Sequence, residues 1–238
     1  MKALFSFALL IACLYVAPAA AQDKSLPHAD FSKMQKTGTS AVIQVINPQT
    51  IQLEDGRLIR LAGLNFPDYK LREPGDISVT AVEILRDMLS GQQVNVYQTK
   101  KKSAGRLNRL GHHIAHLERK NDGAWVQGSL ISLGLARVQT TKSNPDMAAP
   151  LYALETKART ATLGLWSTED FGILSPDNAQ DHIGSFQIIE GHIESAALRK
   201  NRIYLNFGKN WRDDFTVSIA PADKRAFIKA GHDPMQWN

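Results

Sequence analysis

In "IRLAGLNFPDY", Ile59 to Tyr69, one arginine and one acid flank a Gly-Leu-Asn-Phe-Pro turn. Arg60 offers a planar, permanently charged fork that donates two parallel hydrogen bonds to a carboxylate or phosphate. Asp68 offers a carboxylate that can take a proton from a reacting group or, because it follows Pro67, close a turn or cap a helix. Two other stretches carry reactive side chains. "KKKSAGR", Lys100 to Arg106, is a basic loop, either solvated or set against phosphates. "HHIAH" groups His112, His113 and His116, which raises zinc as a ligand. On a strand His112 and His116 share one face while His113 points away, and no nearby cysteine completes a set, so strand packing is the expected role. Taken alone, Arg60 reads as a strand arginine and Arg109, in "GRLNR", as a turn arginine.

The elements that must hold these residues follow from the apolar pattern. Residues 22–40 are polar and aperiodic, which predicts a linker. "AVIQVINPQTIQLEDGRLIRLAGL" alternates apolar and polar residues, with Asn47-Pro48 as one turn and Asp55-Gly56 as a two-residue hairpin turn. An antiparallel meander is expected there. From about Pro74 to Ser90, Val79, Val82, Leu85 and Leu89 fall at helical spacing, and Gly91 closes the helix. "QQVNVYQTK" and "RLGHHIAHLE" predict two more strands, and "WVQGSLISLGL" a short helix closed by Gly134. "AAPLYALETKARTATLGLWS" predicts a third helix, with Pro150 near its first turn and Gly164 past its end. The fold class is therefore α+β and mainly β, a five-stranded OB-type barrel with three helices over residues 41–168. A linker at 169–184 leads to a short β-rich extension, 185–238, of three strands and one helix. In that extension Tyr204, Phe207, Trp211 and Phe215 alternate as core residues do.

The 238 residues, 43% hydrophobic, suit one or two domains with a real core. No apolar run is long enough to span a bilayer in the mature chain. Residues 1–21 read as a secretory signal: Lys2, an apolar run from Ala3 to Val16, then small residues ending Ala19-Ala20-Ala21. Export to the periplasm or the medium is the expectation, with lipidation of Cys13 in "LIAC" as the minor alternative. Cys13 is the single cysteine, so a chain cleaved after Ala21 forms no disulfide. The formal charge is +5, and only Lys2 lies within residues 1–21, so the mature chain stays basic.

The order of the pieces resembles the staphylococcal-nuclease-like, or thermonuclease, family over roughly Ala41 to Ser167. "VINPQTIQL", "IRLAGLNFPD", "GRLNRLGHHIAHL", "WVQGSLISLGLARV" and "ALETKARTATLGLWS" match in sequence order. The resemblance implies an OB barrel with three helices and calcium-dependent hydrolysis of phosphodiester bonds in DNA or RNA. It implies Arg60 and Arg109 as the phosphate clamp and Asp68 as the carboxylate that activates water. It also implies that the basic loop lies beside the nucleic acid, with Lys100, Lys101, Lys102, Arg106 and Lys142 as contacts.

The departures from the family pattern cluster at the metal. Gln49, Thr50 and Asn65 stand at the positions that would hold calcium, with Gln49 and Asn65 replacing aspartates. Asp68 replaces a glutamate one methylene longer, and a misplacement of about 1 Å can cost on the order of 100-fold in rate. The family's tyrosines fall at Leu107, Thr140 and Lys142. Calcium is thus the expected cofactor with substituted ligands, or there is none. Two functions follow: an exported nuclease with an altered metal site, or a catalytically inactive module that binds nucleic acid or an envelope protein. A protein partner of residues 185–238 is a third expectation.

Overall fold

Alternation of apolar and polar residues from Gln35 onward produces five strands that close on themselves. The structure, a computed structural model, describes residues 25–102, 104–210 and 212–237. The expectations for residues 1–21, Cys13 and Trp211 lie outside the described residues. The barrel strands are β1 (Gln35–Asn47), β2 (Thr50–Leu53), β3 (Leu58–Leu61), β5 (Gln93–Gln98) and β6 (His113–Arg119), and β4 is the two-residue Leu64–Asn65. Their order is β1-β2-β3-β6-β5, with β5 returning to β1. All barrel pairs are antiparallel except β3 with β6, which run parallel. This is the five-stranded OB-type barrel expected from the sequence, with helices added.

The helices are α1 (Asp76–Leu89), α2 (Val126–Ser132) and α3 (Ala148–Thr160). Ile51, Leu53, Ile59, Leu85, Leu89, Leu117, Leu130 and Leu151 are fully buried in one core. At roughly 1.5–3 kcal/mol per large apolar side chain, that burial is the main stabilising contribution to the domain. Gly134, after α2, has φ +68, and an added Cβ would meet the Leu163 carbonyl oxygen at 2.1 Å. Only glycine lets α2 end against the end of α3.

Three expectations change. The barrel begins inside the segment read as a linker: β1 starts at Gln35, and Phe31 and Met34 are buried in the core. The hairpin at Asp55-Gly56 has a three-residue loop, Glu54 to Gly56, since Leu53 N donates to Arg57 O and Gly56 N to Leu53 O. Gly56 alone adopts positive φ there, as a type I turn with a following left-handed residue requires. In α1 the buried face is Ser78, Ala81, Leu85, Met88 and Leu89, while Val79 is 42% exposed. The helix period is right, and the inward face is turned toward its small residues.

Beyond the barrel, β7 (Arg137–Val138) pairs antiparallel with β4, and β8 (Ile173–Leu174) pairs parallel with β9 (Ile188–Ile189). The 169–184 stretch is therefore built, with 3-10 turns at Glu169–Phe171 and Pro176–His182. The C-terminal extension forms a three-stranded sheet, β10 (Ser195–Arg199), β11 (Arg202–Asn206) and β12 (Thr216–Ile219), followed by α4 (Pro221–Lys229). Its own small core is Ile203, Leu205 and Ile219, with Phe207 and Met235 packed on it. Phe207 and Phe215 meet edge to face at 5.3 Å, whereas Tyr204, expected in the same core, alternates with the buried Ile203 and Leu205 and lies outside it.

Candidate phosphate-binding site

Arg60 lies in β3, opposite Thr50 of β2 and beside Ile114 of β6. A strand position between two neighbours fixes its backbone, so the side chain leaves the barrel in one direction. It is half-buried. Among the described residues it has no hydrogen-bond or ion-pair partner. Burial lowers its pKa from the ordinary arginine value, with nearby Tyr69 pulling the other way, yet an arginine remains charged at any working pH. Such a half-buried guanidinium can hold an anion, because a partly desolvated charge gains more from a phosphate than a solvated one.

Asp68 is held elsewhere. Its Oδ2 accepts from the Ser78 backbone N–H at 3.0 Å, and its Oδ1 accepts from the Ser78 hydroxyl. Its own carbonyl accepts from Gly75 N at 3.0 Å. Ser78 is the third residue of α1, so Asp68 satisfies an N–H that the first turn leaves without a partner, where the helix dipole favours a negative charge. The approach needs Gly75, since a Cβ there would lie 2.5 Å from Asp68 Oδ2. These contacts are those of a helix cap, one of the two roles that the residue type allows.

Gln49 and Asn65 take up turn and strand roles. Gln49 N donates to Asn47 Oδ1 at 2.9 Å, and Gln49 O accepts from Leu61 N at 2.9 Å. Thr50 is buried. Asn65 sits in β4 opposite Arg137, and its Oδ1 is buried with no partner. That orphan is one neutral acceptor. Among the described residues no three His, Cys, Asp or Glu side chains converge on a point that could hold a metal.

Arg109 stands exposed in the loop before β6 and has no side-chain partner among the described residues. Asn108 shapes that loop: its Oδ1 accepts from Leu110 N and His112 N, both at 2.9 Å. Arg106 lies nearer to Arg60 in the ladder, because Ile114 N donates to Arg106 O and Ile114 is the register neighbour of Arg60. The Arg106 guanidinium, however, donates to Thr99 O at 2.9 Å. Lys100 donates to Ser32 O at 3.0 Å, while Lys101 and Lys102 are exposed. Lys142 is exposed and pairs with Asp223 of α4 at 3.1 Å. The structure thus sets Arg60 beside Thr50 on adjacent strands with the Arg106 backbone bonded to the next strand, and it leaves Arg109 and the lysines on surrounding loops.

The histidines divide differently from the strand expectation. β6 begins at His113, so His112 is outside it. His116 is buried among Phe31 and Trp125, and its Nδ1 accepts from the Trp125 indole at 3.3 Å. Burial drives its pKa from 6.5 down to about 3.

Three features of the region escaped sequence reasoning. Ser78 and Gly75 bind Asp68, and the one signal for them was the helix start at "PGDIS". Tyr69, beside Arg60, also borders a groove of about 340 Å³ that is walled by Ile46, Pro48, Val79 and Val82.

Residues 58–168 match the family model described as staphylococcal nuclease homologue, a little under half of the chain. The matched span runs from β3 through the end of α3 and includes Arg60, Asn65, Asp68 and Arg109, while Gln49 and Thr50 precede it. No curated protein matches the chain significantly.

Proposed function

Since residues 58–168 form a domain of the staphylococcal nuclease homologue family, we propose that it keeps the family's hold on nucleic-acid phosphate while calcium-dependent hydrolysis is lost. The observation that carries this reading is the engagement of both Asp68 carboxylate oxygens by Ser78 at the start of α1. A carboxylate whose two oxygens accept from a backbone N–H and a hydroxyl is oriented toward the helix start and not presented as a general base. Releasing it would also uncap α1, at about 1 kcal/mol.

The family usually uses Ca²⁺, and the residues here do not fit it. Calcium selects six to eight hard oxygens, and its affinity rises with the number of anionic ligands. Gln49, Thr50 and Asn65 offer neutral oxygens only, and Arg60 brings a positive charge to the neighbouring ladder position.

Binding follows from the residues that remain. Arg60 donates its fork to one phosphate from a partly desolvated position, where the pair is less screened than on the surface. Arg109, Lys101 and Lys102 add exposed charge that steers an anionic strand toward the barrel. We place this activity outside the cytosol on the strength of the signal-like residues 1–21. N-terminal sequencing of the mature protein, with Gln22 expected first, checks that placement.

The test is single-stranded DNA binding by the mature chain with and without Arg60→Ala. The proposal expects binding that weakens about tenfold in the variant, one good charge-assisted contact, and intact DNA in Ca²⁺, Mg²⁺ or Mn²⁺. Metal-dependent cleavage overturns it. One observation favours hydrolysis as the second reading: the Asp68 carboxylate is held by a single residue, Ser78. If release of Asp68 is part of a working cycle, Ser78→Ala raises cleavage. If Asp68 is a cap, Ser78→Ala produces none.

A further inference from the structure

The C-terminal sheet presents two unlike faces. Ile203, Leu205 and Ile219 point to one side, where Met235 packs and where α4 and the turn at Pro234–Gln236 contact β11 and β10. Strand alternation sends Arg202, Tyr204 and Asn206 to the other side, with cross-strand neighbours Arg199, Ala197 and Ser195 on β10 and Ser218 and Thr216 on β12. A cavity of about 540 Å³ opens over that face, lined by Ala197, Arg199, Tyr204, Asn206 and Thr216. We propose that this face is a second binding surface for single-stranded nucleic acid, with Tyr204 stacking a base and Arg199 and Arg202 holding phosphate.

Three observations carry the proposal. Arg199 and Arg202 are directly opposed in the register, closed by a two-residue turn in which Lys200 and Asn201 both have positive φ. Like charges facing each other across a ladder repel, and a bound phosphate turns that cost into a binding contribution. Next, Tyr204 lies opposite Ala197, whose small side chain leaves the ring open to the cavity, and the Tyr204 hydroxyl has no hydrogen-bond partner among the described residues. An open aromatic ring about two strand residues from paired arginines is the arrangement on which a base stacks while its phosphate meets a cation. Finally, the polar residues at the far end are already satisfied by one another. Asn206 donates to Ser195 at 3.1 Å, and Thr216 donates to Asp214 at 3.0 Å. The Asp214 carboxylate is further occupied by Gly208 N at 2.8 Å. Arg199 and Arg202 outnumber the one carboxylate, Asp214, so the face is net positive, which suits a phosphodiester strand.

The ligand class rests on the proposed function, but the residues are separate from the barrel site. The test uses the full mature chain and a labelled single-stranded DNA of about 20 nucleotides, long enough to occupy more than one such surface. Anisotropy is read against salt for wild type, Arg199→Gln, Tyr204→Ala, Tyr204→Phe and Arg60→Ala. Iodouracil photocrosslinking then locates the contacts. Tyr204→Ala is expected to weaken binding about tenfold and Tyr204→Phe to leave it unchanged, since stacking needs the ring and not the hydroxyl. Arg199→Gln lowers the salt slope by about 0.7, one phosphate contact on a single strand. Crosslinks to β11 persist in Arg60→Ala. Should Tyr204→Ala disrupt the small sheet, the exposed Arg199 still decides the matter. Unchanged affinity and slope in Arg199→Gln, with no crosslink to β10 or β11, overturns the proposal, even if Arg60→Ala abolishes binding and the barrel reading stands. Loss of binding to anionic vesicles in these variants, with DNA binding untouched, overturns it as well. If Arg60→Ala changes nothing while the sheet variants lose affinity, this proposal holds and the barrel reading falls.

Discussion

Asp68 and His116 show how much burial and partners change what a side chain does. Asp68 has the residue type of a general base, and its two oxygens are taken by Ser78. Asp68→Ala should therefore lower stability by about 1 kcal/mol in urea denaturation, the size of a lost cap, with DNA affinity unchanged. A fall in phosphodiesterase turnover without loss of stability would point to the base instead. His116, kept neutral by burial, predicts an acid sensitivity. Its folded pKa of about 3 lies below the unfolded 6.5, so between those values the unfolded chain binds the extra proton. Stability is full above about pH 6.5 and falls as pH drops through this window. Between pH 7 and pH 5 the loss is about 2 kcal/mol. Urea midpoints at both values check it, and His116→Gln should flatten the difference. Such roles are invisible in "HHIAH" because Trp125 and Phe31, which enclose His116, arrive from other elements.

At the scale of elements, most of the barrel was legible because period-two alternation marks β2, β3, β5, β6 and the part of β1 from Ala41 onward. The two-residue ladder of β4 and β7 was not, since two residues carry no period. That ladder positions Arg137, the largest surprise of the structure. Arg137 is fully buried and donates to the carbonyls of Phe171 and, at 3.2 Å, Phe186, with its guanidinium over the rings of Trp166 and Phe171. Its partners lie 34 and 49 residues away in sequence, so no local pattern announces it. The arginine ties the 169–187 stretch, read from sequence as largely a linker, to the barrel. Arg137→Met should speed amide exchange across residues 171–187 by on the order of tenfold to a hundredfold, the cost of unpaired carbonyls, with the barrel strands still protected. In α1 the exposed Val79 and the buried Leu85 make a second contrast. Val79→Lys should change stability by less than about 0.5 kcal/mol and Leu85→Ala lower it by about 2–5 kcal/mol, as thermal or urea unfolding will report.

Across the whole molecule, a barrel whose residues 58–168 match the nuclease-homologue model carries an arginine with no partner among the described residues, and neutral residues where the resemblance places a cation. A small second sheet adds a face of the same charge. Among the described residues no helix is long and apolar enough to cross a membrane. The family and the barrel were readable from ordered motifs. The fate of the carboxylate was not, because it depends on Ser78, ten residues later in the first turn of a helix. The central claim, phosphate held without calcium, is tested most directly by calorimetric titration of a short single-stranded DNA into the mature protein, with and without Ca²⁺, followed by sizing of the DNA. The account predicts the same affinity in both conditions, no heat on adding Ca²⁺ alone, and uncut DNA. Saturable Ca²⁺ binding that tightens the DNA complex, or shortened DNA after incubation with Ca²⁺, would contradict it.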